Sequence, residues 1–551
     1  MIFYFILLLL FSTIESNKIR GVNIGSYFVL EPYINPSLFY QFIGLNTVVV
    51  SDSYNFCKYL GPKEANRQLT YHWDNWINFE KLNTLKSYGI NTIRIPIADW
   101  MFIPYEVYNI TENNIRCFDN SLLYLDKLFN YCDKLDLNII LDLHAMKDSQ
   151  NGFDNSGLTK NIITKKKNNI LHFEHWNHRS ADWIGDYNLE LKKYNNINYD
   201  NINYSLTVIH EILTKYIHKK SFWALEPVNE PWEFTPLNEL KTFYKNVYDM
   251  FKLKSKNFNN KVLIFHDSFR PSEWTNAYFL EKDGKPKIKI YLDTHQYMAW
   301  GEPIPFNDYI EGAKKWEQPY SVFDIIVGEF SLATDNCLMW LNGFMDNQYG
   351  YPLQECFTEE CPHKDKYINQ IKKVEYGPFG SGNSIPTKDG MCPTSIPIHL
   401  NKNISLIDTL TTKNKIYNID EKEKYYAQKL FEQLTNSYEK NSSGWIFWNF
   451  DVESSSYQWS FLNLINKNYI LATPNQNNNK TIKINIDYYQ VILLLLLIIL
   501  IIILIKVNNN DLHVMPSYQH LLHSYPNYYE VINENNIEMN EKNKNYGTIN
   551  V

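Results

Sequence analysis

Eight short apolar runs rich in β-branched residues, most of them closing on polar residues and several separated by amphipathic stretches, leave this chain few ways to fold. The runs are Ile19 to Ile24, Ile90 to Ile95, Leu137 to Leu143, Phe222 to Val228, Val262 to Phe265, Ile288 to Leu292, Ile325 to Gly328 and Trp445 to Phe450. Helical periodicity fills Trp76 to Tyr88, Leu122 to Leu135, Asn238 to Leu253 and Glu423 to Tyr438. Strands alternating with helices predict a parallel sheet, and eight such units predict a closed (β/α)8 barrel, the TIM-barrel class of α/β fold. No dinucleotide glycine motif or phosphate loop is present, which removes the main open-sheet alternatives and any nucleotide cofactor.

A barrel of this kind places its chemistry at the C-terminal ends of the strands. Two runs end on acids: FWALEPVNEPW, Phe222 to Trp232, carries Asn229 and Glu230, and FDIIVGEF, Phe323 to Phe330, carries Glu329. Arg94 closes the second run, His144 the third, His266 and Asp267 follow the fifth, His295 and Tyr297 the sixth, and Trp448 sits on the eighth. Each has a bland reading, as a surface ion pair for Arg94, a satisfied core histidine for His144 or plain packing for Trp448. Their recurrence at equivalent places on successive strands favours a shared cleft. Paired carboxylates are what retaining glycoside hydrolysis requires, one protonated to serve the leaving oxygen and one ionised to attack, about 5–5.5 Å apart. Arg94 and Tyr297 near Glu329 are expected to hold it ionised, and the mutual negative charge to raise Glu230. Asn229 is placed to bond the sugar 2-hydroxyl, and Trp448 to floor the site.

At these residues the sequence resembles glycoside hydrolase family 5, and within it the fungal exo-β-1,3-glucanases. The resemblance runs from Arg20 to about Leu462, through RGVNIGSYFVLEPYINPSLF, HWDNW, INTIRIPIADW, LDLHAMKDSQNGFDNSG, EPVNEP, HDSF, THQY, VGEFSLATDNC and GWIFWNF in the family order. It implies Glu230 as acid/base and Glu329 as nucleophile, with Arg94, His144, Asn229, His295, Tyr297 and Trp448 lining the subsite. It further implies that Glu31 holds the terminal sugar, that Asp154 is a further sugar contact, that Phe153 and Phe269 clamp the next glucose, and that no metal or other cofactor takes part. Three departures lie beside these groups: Gly25-Ser26-Tyr27 for Gly-Gly-Trp, Ala98-Asp99-Trp100 for Gly-Tyr-Trp, and Gly328-Glu329-Phe330 for Gly-Glu-Trp. They bear on substrate choice more than on reaction type. Thr159 to Asn203 and Gly343 to Asn418 are enlarged, where insertions rebuild a cleft rim.

The ends of the chain read differently. Residues 1–16 resemble a secretory signal, 17–473 the barrel, 474–487 an Asn-rich linker, 488–507 a transmembrane helix, and 508–551 a disordered tail. N-glycosylation sequons at Asn109, Asn203, Asn403, Asn441 and Asn479 all precede that helix, which favours a type I topology with the barrel outside the cytosol, although Lys480 and Lys483 on the outer side outnumber Lys506. Seven cysteines without zinc-type spacing point to disulfides of unreadable connectivity, with at least one thiol unpaired within the chain. A net charge of −7, mixed along the chain, excludes an electrostatic grip on nucleic acid. The expected partner is a β-glucan or β-glucoside, met by a monomer held at a membrane by one C-terminal helix. The rivals are a glycolipid β-glucosidase, a glucan transglycosylase using the same residues, and a binding-only receptor, which would not need two catalytic acids.

Overall fold

The computed structural model describes residues 18–471 except 43–48, 105–110, 113–114, 161–162, 168–169, 175–179, 259, 301–303, 305, 335–340, 342, 345–385, 388–389, 392–412 and 454–455. The expected signal, linker, membrane helix and tail lie outside the described residues, as do Cys337, Cys356, Cys361 and Cys392. Among the described residues no helix is long and apolar enough to cross a membrane.

All eight expected strands form, as β1 (Ile19–Asn23), β2 (Thr92–Ala98), β3 (Asn138–Ala145), β4 (Phe222–Glu226), β5 (Val262–His266), β6 (Ile290–Gln296), β7 (Asp324–Phe330) and β8 (Gly444–Phe447). They pair in parallel in sequence order, and β1 closes the barrel against both β2 and β8. Two boundaries differ for a chemical reason. β4 stops at Glu226 rather than running to Val228, because Pro227 has no N–H for the ladder. The helix expected over Trp76 to Tyr88 forms as Phe79–Ser87, since the Asn78 side chain accepts the Lys81 N–H at 2.8 Å and starts it there, while Trp76 ends the preceding helix Pro62–Trp76. The helices Ser121–Leu135, Leu237–Lys254 and Lys413–Asn441 cover the other expected stretches. The link from β5 to β6 departs from the repeat, with one 3-10 turn at Pro271–Glu273 and no α-helix.

Side chains two apart on a strand share a face, and this places the site. Ile140, Ala224, Ile264, Ile326 and Ile446 form an apolar cluster inside the barrel. Two residues further along the same strands stand Asp142, Glu226, His266 and Gly328, with Trp448 just past β8, so the apolar layer is the floor on which a polar layer rests. The larger core lies outside, where Leu141, Leu225, Phe265 and Val327 meet Leu128, Val208, Tyr244 and Val247 of the helices.

The two enlarged segments meet at the rim: Gly343–Phe344 pairs antiparallel with Ile170–Glu174, which pairs with Ile163–Lys167. Cys57 is disulfide-bonded to Cys117, with their Cα atoms 6.1 Å apart, and Cys132 is a buried free thiol. Of the two described sequons, Asn203 is exposed on the helix Tyr199–Tyr216, whereas the Asn441 amide donates to the Trp316 carbonyl at 2.6 Å.

Candidate active site

Arg94 does not close β2 but is its third residue, fully buried in the lumen. A guanidinium there must find acceptors for its whole fork. Its Nε donates to Glu226 at 2.8 Å, Nη1 to Asn23 at 2.9 Å and to Glu329 at 2.8 Å, and Nη2 to Asn229 at 2.8 Å, with Asp142 at 3.2 Å. Despite burial, the surrounding carboxylates of Asp142, Glu226 and Glu329 hold Arg94 firmly charged. One cation thus orients the nucleophile candidate and the asparagine beside the acid/base candidate.

Glu329 is the sixth residue of β7, and Gly328 lets it sit there. A Cβ at Gly328 would fall 1.8 Å from an Asp293 carboxylate oxygen, and Asp293 accepts the Gly328 N–H at 2.6 Å. The second oxygen of Glu329 accepts the Tyr297 hydroxyl at 2.8 Å. Glu230 lies past β4 with a φ of 43°, a left-handed conformation costly for a residue with a side chain. Ser26, Asp148, Ser149, Ser268 and Phe269, on loops that follow β1, β3 and β5, also have positive φ. Ser26 stands where the resembled family has the middle residue of Gly-Gly-Trp, and its hydroxyl accepts the Glu31 N–H at 2.9 Å.

One imidazole joins the two acids. His295 Nδ1 lies 2.6 Å from Glu230 Oε1 and 3.3 Å from Glu329 Oε2, so these oxygens are separated by at most about 5.9 Å. This corrects the expected charge order. Burial works against the charged form of His295, but Glu329 and Asp293 raise its proton affinity well above the ordinary histidine value. Burial likewise opposes ionisation of Glu230, yet the hydrogen bond and charge of His295 leave it below the ordinary range. For Glu329, burial outweighs His295 and Arg94 and the net shift is upward. The proton expected on Glu230 therefore rests on His295, in direct contact with it.

The remaining expected residues converge on the same space. His144 Nδ1 is 2.6 Å from Asp142, its Nε2 is 3.4 Å from the Asn229 amide, and its ring stacks on Trp448 at 5.6 Å and 9°. Trp448, which follows β8 rather than lying on it, donates its indole N–H to Tyr33 and is joined to Asn449 by a cis peptide bond. Glu31 is buried, and its Oε1 has no partner among the described residues. Burial and the nearby Asp154, Glu329 and Glu230 hold Glu31 well above the carboxylate range. Phe269 is half exposed, with its ring 5.1 Å from His266, and Phe153 is partly buried next to Asp154. Residues not foreseen are Asn155, whose amide is 3.3 Å from Glu230 Oε2; Asn23, Asp142, Glu226 and Asp293, which hold Arg94, His144 and His295; and Tyr33, Trp300 and Trp459, whose rings join Tyr297 in one aromatic wall.

Among the described residues two groups have the spacing of metal ligands, Glu230 with His266 and His295, and Glu226 with Asp293 and His295. Some of their atoms are engaged, since His266 Nδ1 accepts the Ser268 N–H at 2.9 Å and Glu226 and Asp293 serve Arg94 and Gly328, whereas Glu226 Oε1, His266 Nε2 and His295 Nε2 have no hydrogen-bond partner among the described residues. The Arg94 guanidinium bonded to Glu226 opposes a second cation beside it.

Burial pushes Asp154 up to about 8. The folded chain then keeps a proton that the unfolded chain releases above about pH 4, so the stability this group contributes is lost as pH rises from about 4 to about 8. Glu453, raised to about 7 by burial, acts in the same sense. His72, lowered to about 4 by burial, acts oppositely, but only below about pH 6.5. Between about pH 6.5 and 8 the midpoint of urea unfolding should therefore fall, and Asp154→Asn should flatten that fall. An equal decline in wild type and variant would show that Asp154 is already ionised in the folded protein.

No family model matches this chain. It is similar to a glucan 1,3-beta-glucosidase of Yarrowia lipolytica, 27% identical over 82% of this chain and 87% of that one. It matches the sporulation-specific glucan 1,3-beta-glucosidase of Saccharomyces cerevisiae at 27%, over 82% and 85%, and the glucan 1,3-beta-glucosidase 2 of Candida albicans at 26%, over 85% and 86%. Among solved structures, rutinosidase from Aspergillus niger aligns over 82% of this chain and 97% of that one, at 15% identity and a TM-score of 0.49. The motifs, the closed barrel and these relatives agree, and the chain is a glycoside hydrolase similar to the curated glucan 1,3-beta-glucosidases.

Proposed function

We propose that the enzyme is a retaining β-glucoside hydrolase that releases glucose from the non-reducing end of β-1,3-glucan by double displacement. The observation that carries this is the meeting of both acids on one imidazole, with oxygens no more than about 5.9 Å apart. That bound on one oxygen pair accommodates the roughly 5–5.5 Å of retaining enzymes, whereas an inverting enzyme sets its carboxyl groups about 6.5–9.5 Å apart to leave room for water. The β-1,3-glucan assignment rests on the relatives' names.

In the first step the Glu329 carboxylate, aligned by Arg94 and Tyr297, attacks the anomeric carbon. The bond to the leaving oxygen breaks, and that oxygen takes the proton Glu230 shares with His295. Glu329 is then an ester, and Glu230 is the base for the second step. It removes a proton from water, whose oxygen displaces Glu329 and restores the β configuration. Asn229, its carbonyl oxygen held by Arg94, turns its amide to the sugar 2-hydroxyl, and the Trp448 ring backs the sugar plane. Glu31 and Asp154, both buried and both held protonated by burial, each offer a carbonyl oxygen and an O–H to the hydroxyls of a sugar, which favours action at chain ends. On the same reading residues 488–507 anchor the enzyme in a membrane, with the barrel outside the cytosol.

The full chain and a chain ending at Ala472 are the material for one experiment. Laminarin with either should yield β-glucose as the first anomer seen by NMR, and only the full chain should sediment with membranes. A first product that is α-glucose would refute the double displacement, oligosaccharides in place of glucose would refute the exo reading, and a freely soluble full chain would refute the anchor.

A further inference from the structure

Four residues beyond Glu230 the chain exposes an aromatic ring that the mechanism leaves unused. Phe234 is 49% exposed although Trp232, two residues earlier, is buried. The two rings meet edge to face at 5.0 Å and 83°. Behind them stands a hairpin from the enlarged segment after β3, Tyr187–Asn188 pairing with Lys193–Tyr194. Tyr187 packs on Trp232 at 4.5 Å and on Tyr194 at 5.1 Å, and lies nearly parallel to Phe234, at 22° and 6.1 Å.

The hairpin is moored. The Tyr194 hydroxyl donates to the Ala181 carbonyl at 2.8 Å, and Asp186 and Asn196 bond each other at its base. A Cβ at Gly185 would lie 2.0 Å from the Asn196 carbonyl oxygen, so only glycine admits this close approach. The platform is also tied to the cleft. The Trp232 N–H donates to the carbonyl of Gln150, whose amide bonds the carbonyls of His144 and Asn229. The Ser268 hydroxyl, next to Phe269, bonds the Pro231 and Trp232 carbonyls at 2.8 and 3.1 Å. A large ring fixed on one side by two others, left open on the other, and joined rigidly to the acid/base loop is built to receive something flat.

We infer that Phe234, backed by Tyr187 and Trp232, is a distal leaving-side subsite that stacks a further glucose ring of the glucan chain, beyond the sugar next to the scissile bond. This rests on the β-glucan reading above. A glucose ring is the occupant the surroundings favour: its apolar face covers an aromatic ring, while Glu233, near enough to act on Tyr187 through its charge, and the exposed Asp186–Asn196 pair offer partners for its hydroxyls. The hairpin turn interrupts its exposed Leu189 and Leu191 with Glu190, Lys192 and Lys193, an unsuitable bed for an alkyl chain.

The test compares the full-length wild type with Phe234→Ala and Tyr187→Ala on laminaribiose, laminaritriose, laminaritetraose and octyl β-glucoside. Wild-type KM should fall from the disaccharide to the tetrasaccharide. Phe234→Ala should erase about three- to tenfold of that gain and leave kcat and the laminaribiose KM unchanged, with a smaller loss for Tyr187→Ala. Losses equal on all substrates would mean a structural role, and losses confined to octyl β-glucoside would mean an apolar aglycone; either overturns the subsite. An active wild type whose KM ignores chain length also overturns it and leaves the proposed function standing. A wild type inactive on every laminari-oligosaccharide takes both down.

Discussion

Glu329→Ala should lower hydrolysis of an aryl β-glucoside by about 10⁴- to 10⁶-fold, the scale of loss when a covalent nucleophile is removed. The variant should still fold, because the Cβ stays and the lost carboxylate carried a desolvation cost in a fully enclosed position. Its chemistry can also be redirected. With the side chain gone, azide can enter the space beside Tyr297 and Arg94 and attack the anomeric carbon from the face Glu329 used, yielding α-glucosyl azide. The same treatment of Glu230→Ala should give the β-azide, since there the ester on Glu329 forms first and azide attacks its other face, and activated aryl glucosides should suffer least because their leaving groups need no proton. If Glu329→Ala kept more than about a hundredth of wild-type activity, or azide gave the β product with it, the nucleophile would have to be sought elsewhere.

The strands could be read from the sequence because parallel barrel strands are buried on both faces, so they stand out as largely apolar runs whatever the loops do. Their polar ends were legible for the same reason, and Glu230, Glu329, His144, Asn229, His295 and Trp448 all meet in one space. What escaped was the inside of the barrel. Asp142, Glu226 and Asp293 interrupt LDLH, ALEP and LDTH, and a charge within an apolar run is itself a sign of a buried partner. Taken with the two-residue period of a strand, that sign could have moved Arg94 from the strand tip to the lumen. The charge order of the two acids had no such signal. It depends on which carboxylate the His295 ring approaches more closely, a matter of loop geometry that residue spacing does not encode. The pairing of Cys57 with Cys117 was equally unreadable, since 60 residues separate them.

Arg94→Met should cost about 3–5 kcal/mol of stability, because it strips the cation from buried carboxylates that have already given up water. It should also move the acid limb of the pH–rate profile upward. Attack requires Glu329 ionised; burial already raises its proton affinity, and Arg94, together with His295 and His144, works against that shift. Without it the carboxylate gains its proton at a higher pH, so activity begins at a higher pH than in wild type. Arg94→Lys separates the charge from the fork. An ammonium on a flexible stem can neutralise Glu329 or Glu226, but it cannot hold Asn23, Asn229 and both acids in one plane as the guanidinium does. The lysine variant should therefore keep most of the stability and an acid limb close to wild type, yet lose kcat, since Asn229 and Glu329 are no longer fixed relative to each other. Should the methionine variant be too unstable to assay, the lysine variant still decides: kcat at the wild-type level would mean that the fork is not needed to align the nucleophile with Asn229. An acid limb unmoved in a folded methionine variant would mean that the neighbouring histidines, His295 and His144, set the charge of Glu329 without Arg94.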